Sequence, residues 1–167
     1  MILSVEKLRE YLPSINMSDE AIRARLESLE TLIRKYTNNN FQVRTIRTTG
    51  NIRNGELIFA DASRFKKGVS FQISQSLYND GVYVYGEKHE FEDEDGVLIT
   101  KVVYPPDVVQ GVVNLFKWDF ENRDKVGVKS ESLSRYSVTY YDLDANSEVG
   151  FPKGLVAFLK PYMRAQF

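Results

Sequence analysis

The chain is predicted to adopt an α+β fold in which a compact helical domain is interrupted by a small antiparallel β module. Two observations predict this. Apolar residues recur at helical spacing in both the first and the last thirds of the 167 residues. Between them that period gives way to short β-branched and aromatic runs separated by Gly and Asn turn signals. The expected division assigns residues 1–43 and 104–167 to the helical domain, with about four helices and one strand, and residues 44–103 to the inserted β module. A chain of this length buries roughly 70% of its unfolded surface, so it needs no covalent staple.

The first helix is read over residues 4–12, with Ser4 as cap, Val5, Leu8 and Leu12 as the stripe, and Pro13 as the stop. A second begins after Ser18. Asp19 and Glu20 suit the positive end of its dipole, and Ile22, Leu26, Leu29, Ile33 and Tyr36 line one face. It ends near Thr37, where Asn38-Asn39-Asn40 tolerates left-handed geometry. In the β module, turns are expected at Thr49-Gly50-Asn51, Asn54-Gly55, Lys67-Gly68, Asn79-Asp80-Gly81 and Asp95-Gly96. The runs Leu57–Phe59, Val69–Ile73, Val82–Tyr85 and Val97–Thr100 belong to a sheet or barrel of about four to six strands. An apolar helix then starts at the Pro105-Pro106 pair and carries Val108, Val112, Leu115, Phe116 and Phe120. A small-residue loop, one strand from Arg135 to Tyr141, an acidic loop and a helix led by Pro152 complete the chain, with Pro161 expected to kink or end that helix.

Composition excludes several classes. There is no cysteine, hence no disulfide, thiolate metal site or cysteine nucleophile. The net charge of −1 argues against a dedicated nucleic-acid binder with a basic surface. No run approaches the apolar length of a membrane span, and the opening Met1-Ile2-Leu3-Ser4-Val5-Glu6 turns charged too soon for a signal peptide, so a cytoplasmic site of synthesis is expected. Ten Tyr and ten Phe are many, and they point to a β-rich core with some rings at subunit contacts.

Candidate chemistry is sparse. His89 is the only histidine and lies in the acidic run Glu87–Gly96, where a solvated loop is expected. The acids of that run are expected to repel and stay hydrated rather than converge on a cation. Asp142-Leu143-Asp144-Ala145-Asn146-Ser147-Glu148 imitates the start of a calcium loop, but Ser147 replaces the turn glycine and Lys153 the bidentate acid. Ser130 and Ser132 have no neighbouring histidine to activate them. No enzyme, cofactor or metal is therefore expected. Basic residues Arg23, Arg25, Arg34, Lys35, Arg44, Arg47 and Arg53 gather in the first third, opposite in sign to the 87–95 run, a pattern compatible with complementary subunit faces.

Two blocks carry more than composition. "GVKSESLSRYSVTYYDL", followed by "FPKGLVAFLKPYMR", resembles the C-terminal signature of the head–tail connector (head completion, or adaptor) proteins of long-tailed bacteriophages. In that family a similar serine-rich segment precedes a proline-started helix ending in Leu-x-x-Tyr, here Leu159 and Tyr162; Leu133-Ser134 stands where a glycine is common. "SLETLIRKYTNNNF" (Ser28 to Phe41) is similar to the family's helix ending in Ile-x-x-Tyr-Thr, and "VSFQISQSLYNDGVYVYG" looks like an insertion seen in some members.

The resemblance implies a virion structural protein, made in the host cytoplasm or encoded by a prophage, and placed at the head–tail interface. It implies a ring of about twelve copies that docks beneath the portal protein, extends the DNA channel and presents a platform for a stopper or tail-completion protein. Contact with channel DNA would be transient and non-specific, and no membrane is involved. The helices Ile22 to Tyr36 and Val108 to Phe120 would form its core. The alternative reading is a small β-barrel that binds proteins or peptides on a helical scaffold in a regulatory role, which a pocket of exposed Phe71, Tyr83 and Tyr85 on one sheet face would favour.

Overall fold

A computed structural model describes residues 1–122, 130–133, 136–139 and 147–165, and it is α+β. The chain forms two compact units, Met1–Ile2 with Asn39–Tyr104, and Leu3–Asn38 with Pro105–Phe167.

In the helical unit, α1 (Val5–Tyr11) is capped by Ser4, whose hydroxyl accepts from Lys7 N at 3.3 Å. Arg9 near its end donates to Asp19 Oδ1 at 2.6 Å and to the Met17 carbonyl at 2.8 Å, tying α1 to the start of α2 (Asp19–Thr37). Ser18 caps α2 through Ala21 N, and Ile22, Leu26, Leu29 and Ile33 are buried as their spacing requires. Asn38 closes the helix in the left-handed conformation, with φ 48°. The third helix, α3 (Pro106–Asn122), has proline in its first turn and buries Val108, Val112, Leu115 and Phe116, whereas Phe120 is 40% exposed and lies outside the core expected for it.

In the C-terminal part the strand expected at Arg135–Tyr141 is present over Tyr136–Thr139, and further short strands accompany it. Two short antiparallel pairs are present: β6 (Ser130–Leu133) with β7 (Tyr136–Thr139), and β8 (Ser147–Glu148) with β9 (Phe151–Pro152). The expected small-residue loop is thus partly strand. The β6 strand, Ser130-Glu131-Ser132-Leu133, carries little apolar alternation, and β8 and β9 have two residues each, so period counting does not find them. Next, α4 (Lys153–Val156) passes into a 3₁₀ segment, Ala157–Tyr162, that ends one residue after Pro161. Gly111 of α3 lets the Phe158 ring lie directly on the helix, since a Cβ there would fall 2.2 Å from the ring.

The β unit is a curled five-stranded antiparallel sheet in the order β2-β1-β5-β3-β4. Its strands are β1 (Gln42–Arg53), β2 (Glu56–Phe59), β3 (Ser70–Ser74), β4 (Gly81–Val84) and β5 (Glu94–Val102). Asn54-Gly55 is the tight β1–β2 turn expected, with φ 52° and 74°. Two other turn signals are not turns. Thr49-Gly50-Asn51 lies inside β1, and Asp95-Gly96 lies inside β5. They face each other as a bulge: Gly50 pairs with Val97 and Ile52 with Glu94, so β5 holds one extra residue there. Gly96 takes it up with φ 72°, and its N–H donates to Asn51 Oδ1 at 3.0 Å. Ile52, Phe65, Phe71, Ile73, Val97 and Ile99 form the buried core of the concave face.

Candidate functional site

Among the described residues, the potential metal-ligating side chains do not converge. The acidic run that includes His89 is instead distributed among separate structural tasks. Asp93 accepts from Gly55 N at 3.0 Å, and the Gly55 and Asn54 backbone N–H groups hold its carboxyl below the usual range. Asp95 pairs with Arg53 at 2.5 Å. The Glu94 carboxylate accepts from the Ser76 hydroxyl, from Leu77 N at 2.8 Å and from Asn79 Nδ2 at 3.1 Å. The Ser76 bond leads the effects that lower its pKa. Among the described residues no group of three potential metal-ligating side chains is found. Of the calcium-loop imitation, residues 142–146 lie outside the described residues, and Ser147–Glu148 form β8. Ser130 and Ser132 lie on β6.

Asn79 corrects a sequence expectation. It is 3% exposed, and its amide donates to the Glu92 carbonyl at 3.0 Å while its oxygen accepts from Glu92 N at 2.9 Å. With Glu94 it fastens the β3–β4 loop, in which the left-handed residue is Gln75 rather than Asn79, Asp80 or Gly81. The tip of this loop holds Leu77 and Tyr78 out to solvent, 82% and 70% exposed.

His89 is also corrected. It is half-buried, its ring 5.1 Å from Tyr83 and 5.7 Å from Phe91, and its Nε2 lies 3.0 Å from the Val84 carbonyl oxygen. The tautomer with hydrogen on Nε2 donates to that oxygen. The imidazole is therefore a packing and hydrogen-bonding piece of an aromatic cluster. Phe91 lies in the same run, but Tyr83 and the Val84 carbonyl reach the imidazole only through the fold.

That cluster determines the shape of the unit. Phe59 on one edge strand meets Phe71 at 5.5 Å and Tyr85, just past the other edge strand, at 5.0 Å. The curl thus brings the two edges of an open sheet toward each other. The segment 85–93 folds back as a strap along β4, held by the His89–Val84 and Asn79–Glu92 contacts and by Phe91 on Tyr83 at 4.9 Å. Between the strap and β2 lies a cleft of about 590 Å³, running from the Asn54-Gly55 turn to Gly86. Phe59, Phe71, Tyr85 and Phe91 give it an aromatic floor. Phe71 is 2% exposed and Tyr85 half-buried, while Tyr83 turns its hydroxyl to the Asn79 carbonyl at 2.9 Å. Burial, then the Asp80 charge, raise the Tyr83 pKa.

In the helical unit, polar contacts fasten the C-terminal segment. Arg164 N donates to the Thr37 carbonyl at 2.9 Å and Asn38 Nδ2 to the Ala165 carbonyl at 3.1 Å. The Tyr162 hydroxyl binds the Asp107 carboxylate at 2.8 Å, which raises its pKa. Tyr36 donates to Glu148 at 2.6 Å, and this bond pushes its pKa up to about 12. Arg25 Nη1 lies 2.5 Å from Asp119 Oδ2, whose side chain is 10% exposed. Of the basic residues of the first third, Arg25 and Arg53 are engaged in ion pairs with Asp119 and Asp95.

No protein-family model matches the chain, and no curated protein matches it significantly. Among the described residues no helix is long and apolar enough to cross a membrane.

Proposed function

We propose that the chain is a head–tail connector subunit of a long-tailed bacteriophage or prophage. About twelve copies form a ring that docks under the portal protein, completes the head and extends the DNA channel toward a stopper or tail-completion protein. One observation carries this reading. The two blocks that bear the resemblance are far apart in sequence, yet Arg164, at the end of the C-terminal one, bonds to Thr37 of Ser28 to Phe41, and the following Ala165 bonds to Asn38. Signature segments that pack on each other support a shared scaffold more strongly than either string alone.

The mechanism is assembly. A ring needs a head-to-tail contact between two different faces of each subunit, and docking on a portal of matching symmetry multiplies weak contacts into a stable joint. A net charge of −1 suits a channel wall past which DNA must slide, because a strongly basic wall retains phosphates.

The test is to mix the purified chain with the portal protein of the same genome and examine the product by sedimentation and electron microscopy. The expected result is a ring added to one end of the portal, with one copy per portal subunit. Folded protein that leaves intact portals bare would overturn the assignment.

A further inference from the structure

We propose that the cleft between β2 and the 85–93 strap is a binding slot for an extended, basic peptide segment, which adds to the sheet as a strand beside β2. Three observations carry it. First, among the described residues β2 ends the sheet and pairs only with β1, so its other edge is left for a partner strand and borders the cleft. The addition of an extended chain to such an edge is a recurrent recognition mode, with main-chain bonds giving affinity and side-chain pockets giving selectivity. Second, the cleft extends along β2, from Gly55, whose N–H donates to Asp93 of the strap, to Gly86, over which the Lys67 side chain lies. Its volume of about 590 Å³ and aromatic floor accommodate alternate apolar side chains of the incoming strand.

Third, the charge at the rim selects the occupant. Glu56, Glu87 and Glu90 border the cleft with Lys88, and Lys67 lies over Gly86 at its end, so among these residues acids exceed cations, with Glu56 and Glu90 exposed at the rim. In an extended strand, successive side chains point to opposite faces, so residues that alternate apolar and basic place one set on the rings and the other toward the carboxylates. An arginine or lysine beside the Phe and Tyr rings also gains from their negative faces. A second copy of this chain is the weaker fit. Its most exposed apolar feature, Leu77-Tyr78, lies between Asp80 and the Glu92–Asp95 acids, with no Lys or Arg anywhere from Gly68 to Gly86. Like charge would meet like charge.

The slot does not depend on the connector assignment, because a single isolated chain should bind. The experiment uses the full chain and four ten-residue capped peptides, in which lysine alternates with valine, leucine, phenylalanine or tyrosine. Binding is measured by calorimetry and by amide hydrogen exchange. At least one peptide is expected to saturate at one per chain and to slow exchange of the β2 amides. The same peptide with glutamate for lysine, or with two central prolines, should bind at least about tenfold more weakly. The exposed double variant Glu56→Lys/Glu90→Lys, shown folded by circular dichroism, should also lose about tenfold. Failure of all four peptides overturns the proposal, as does equal binding of the glutamate peptide or an unaffected rim variant. Self-association of the chain alone, abolished by the rim variant, would assign the slot to a second copy and overturn the peptide reading.

Discussion

Gly50→Ala isolates the physical reason that β1 carries a glycine. The backbone at Gly50 is not in the positive-φ region, so alanine meets no conformational penalty there. Its Cβ, however, would lie 2.7 Å from Ile99 Cδ1 and 2.8 Å from the Ile58 carbonyl oxygen. The Ile99 methyl is fully buried in the concave core, and the Ile58 oxygen belongs to the backbone of the paired strand, so neither yields freely. Overpacking of this kind costs about 1–3 kcal/mol. Replacing a strand glycine returns about 0.5–1 kcal/mol through the lower entropy of the unfolded chain. Because the Ile58 oxygen is backbone and moves only with its strand, the steric term lies in the upper part of its range, about 2–3 kcal/mol, leaving a net loss of about 1–2 kcal/mol. With a urea dependence of about 2 kcal/mol per molar, the midpoint of sheet unfolding should fall by about 0.5–1 M. Adding Ile99→Val removes the nearer contact, so the double variant should be less destabilised than the sum of the two single changes. A midpoint that is unchanged or raised in Gly50→Ala would refute the packing argument and return this position to the exposed turn that Thr49-Gly50-Asn51 reads as locally.

Arg25→Met should destabilise the helical unit by about 1–3 kcal/mol, because it removes a guanidinium that lies 2.5 Å from the Asp119 carboxylate, whose side chain is 10% exposed; Arg25→Met with Asp119→Leu should regain part of the loss in urea titrations. Tyr36 should ionise near pH 12 in a spectrophotometric titration, and Glu148→Gln should return it toward 10, since the hydrogen bond to Glu148 is the leading cause of the shift. The sign follows from linkage. The folded pKa is raised above the unfolded one, so this contribution is complete below pH 10 and is lost as the pH climbs from 10 to about 12. A Glu148→Gln protein whose tyrosine titration matches the parent would refute the assignment.

The elements that could be read from sequence are those whose stabilising residues lie close together in the chain. Ser4 and Ser18 cap their helices within three residues, α2 and α3 bury residues at helical spacing, and Asn54-Gly55 makes its turn from its own backbone. The α+β class follows from these periods alone. What only the tertiary structure decided concerns groups that meet across strands. Gly50 and Gly96 carry turn-like local sequence, but β5 pairs across them and converts two apparent turns into one bulge. Asn79 looked like a turn residue, yet burial beside Glu92 and Glu94 makes it a cross-link, since a buried amide must have its bonds satisfied. His89 sits among charges in sequence and among rings in space. The cleft was the least legible feature. Phe59, Tyr85 and Phe91 come together only because the sheet curls, and the curl is a sum of twists and bulges over five strands rather than a property of any one of them.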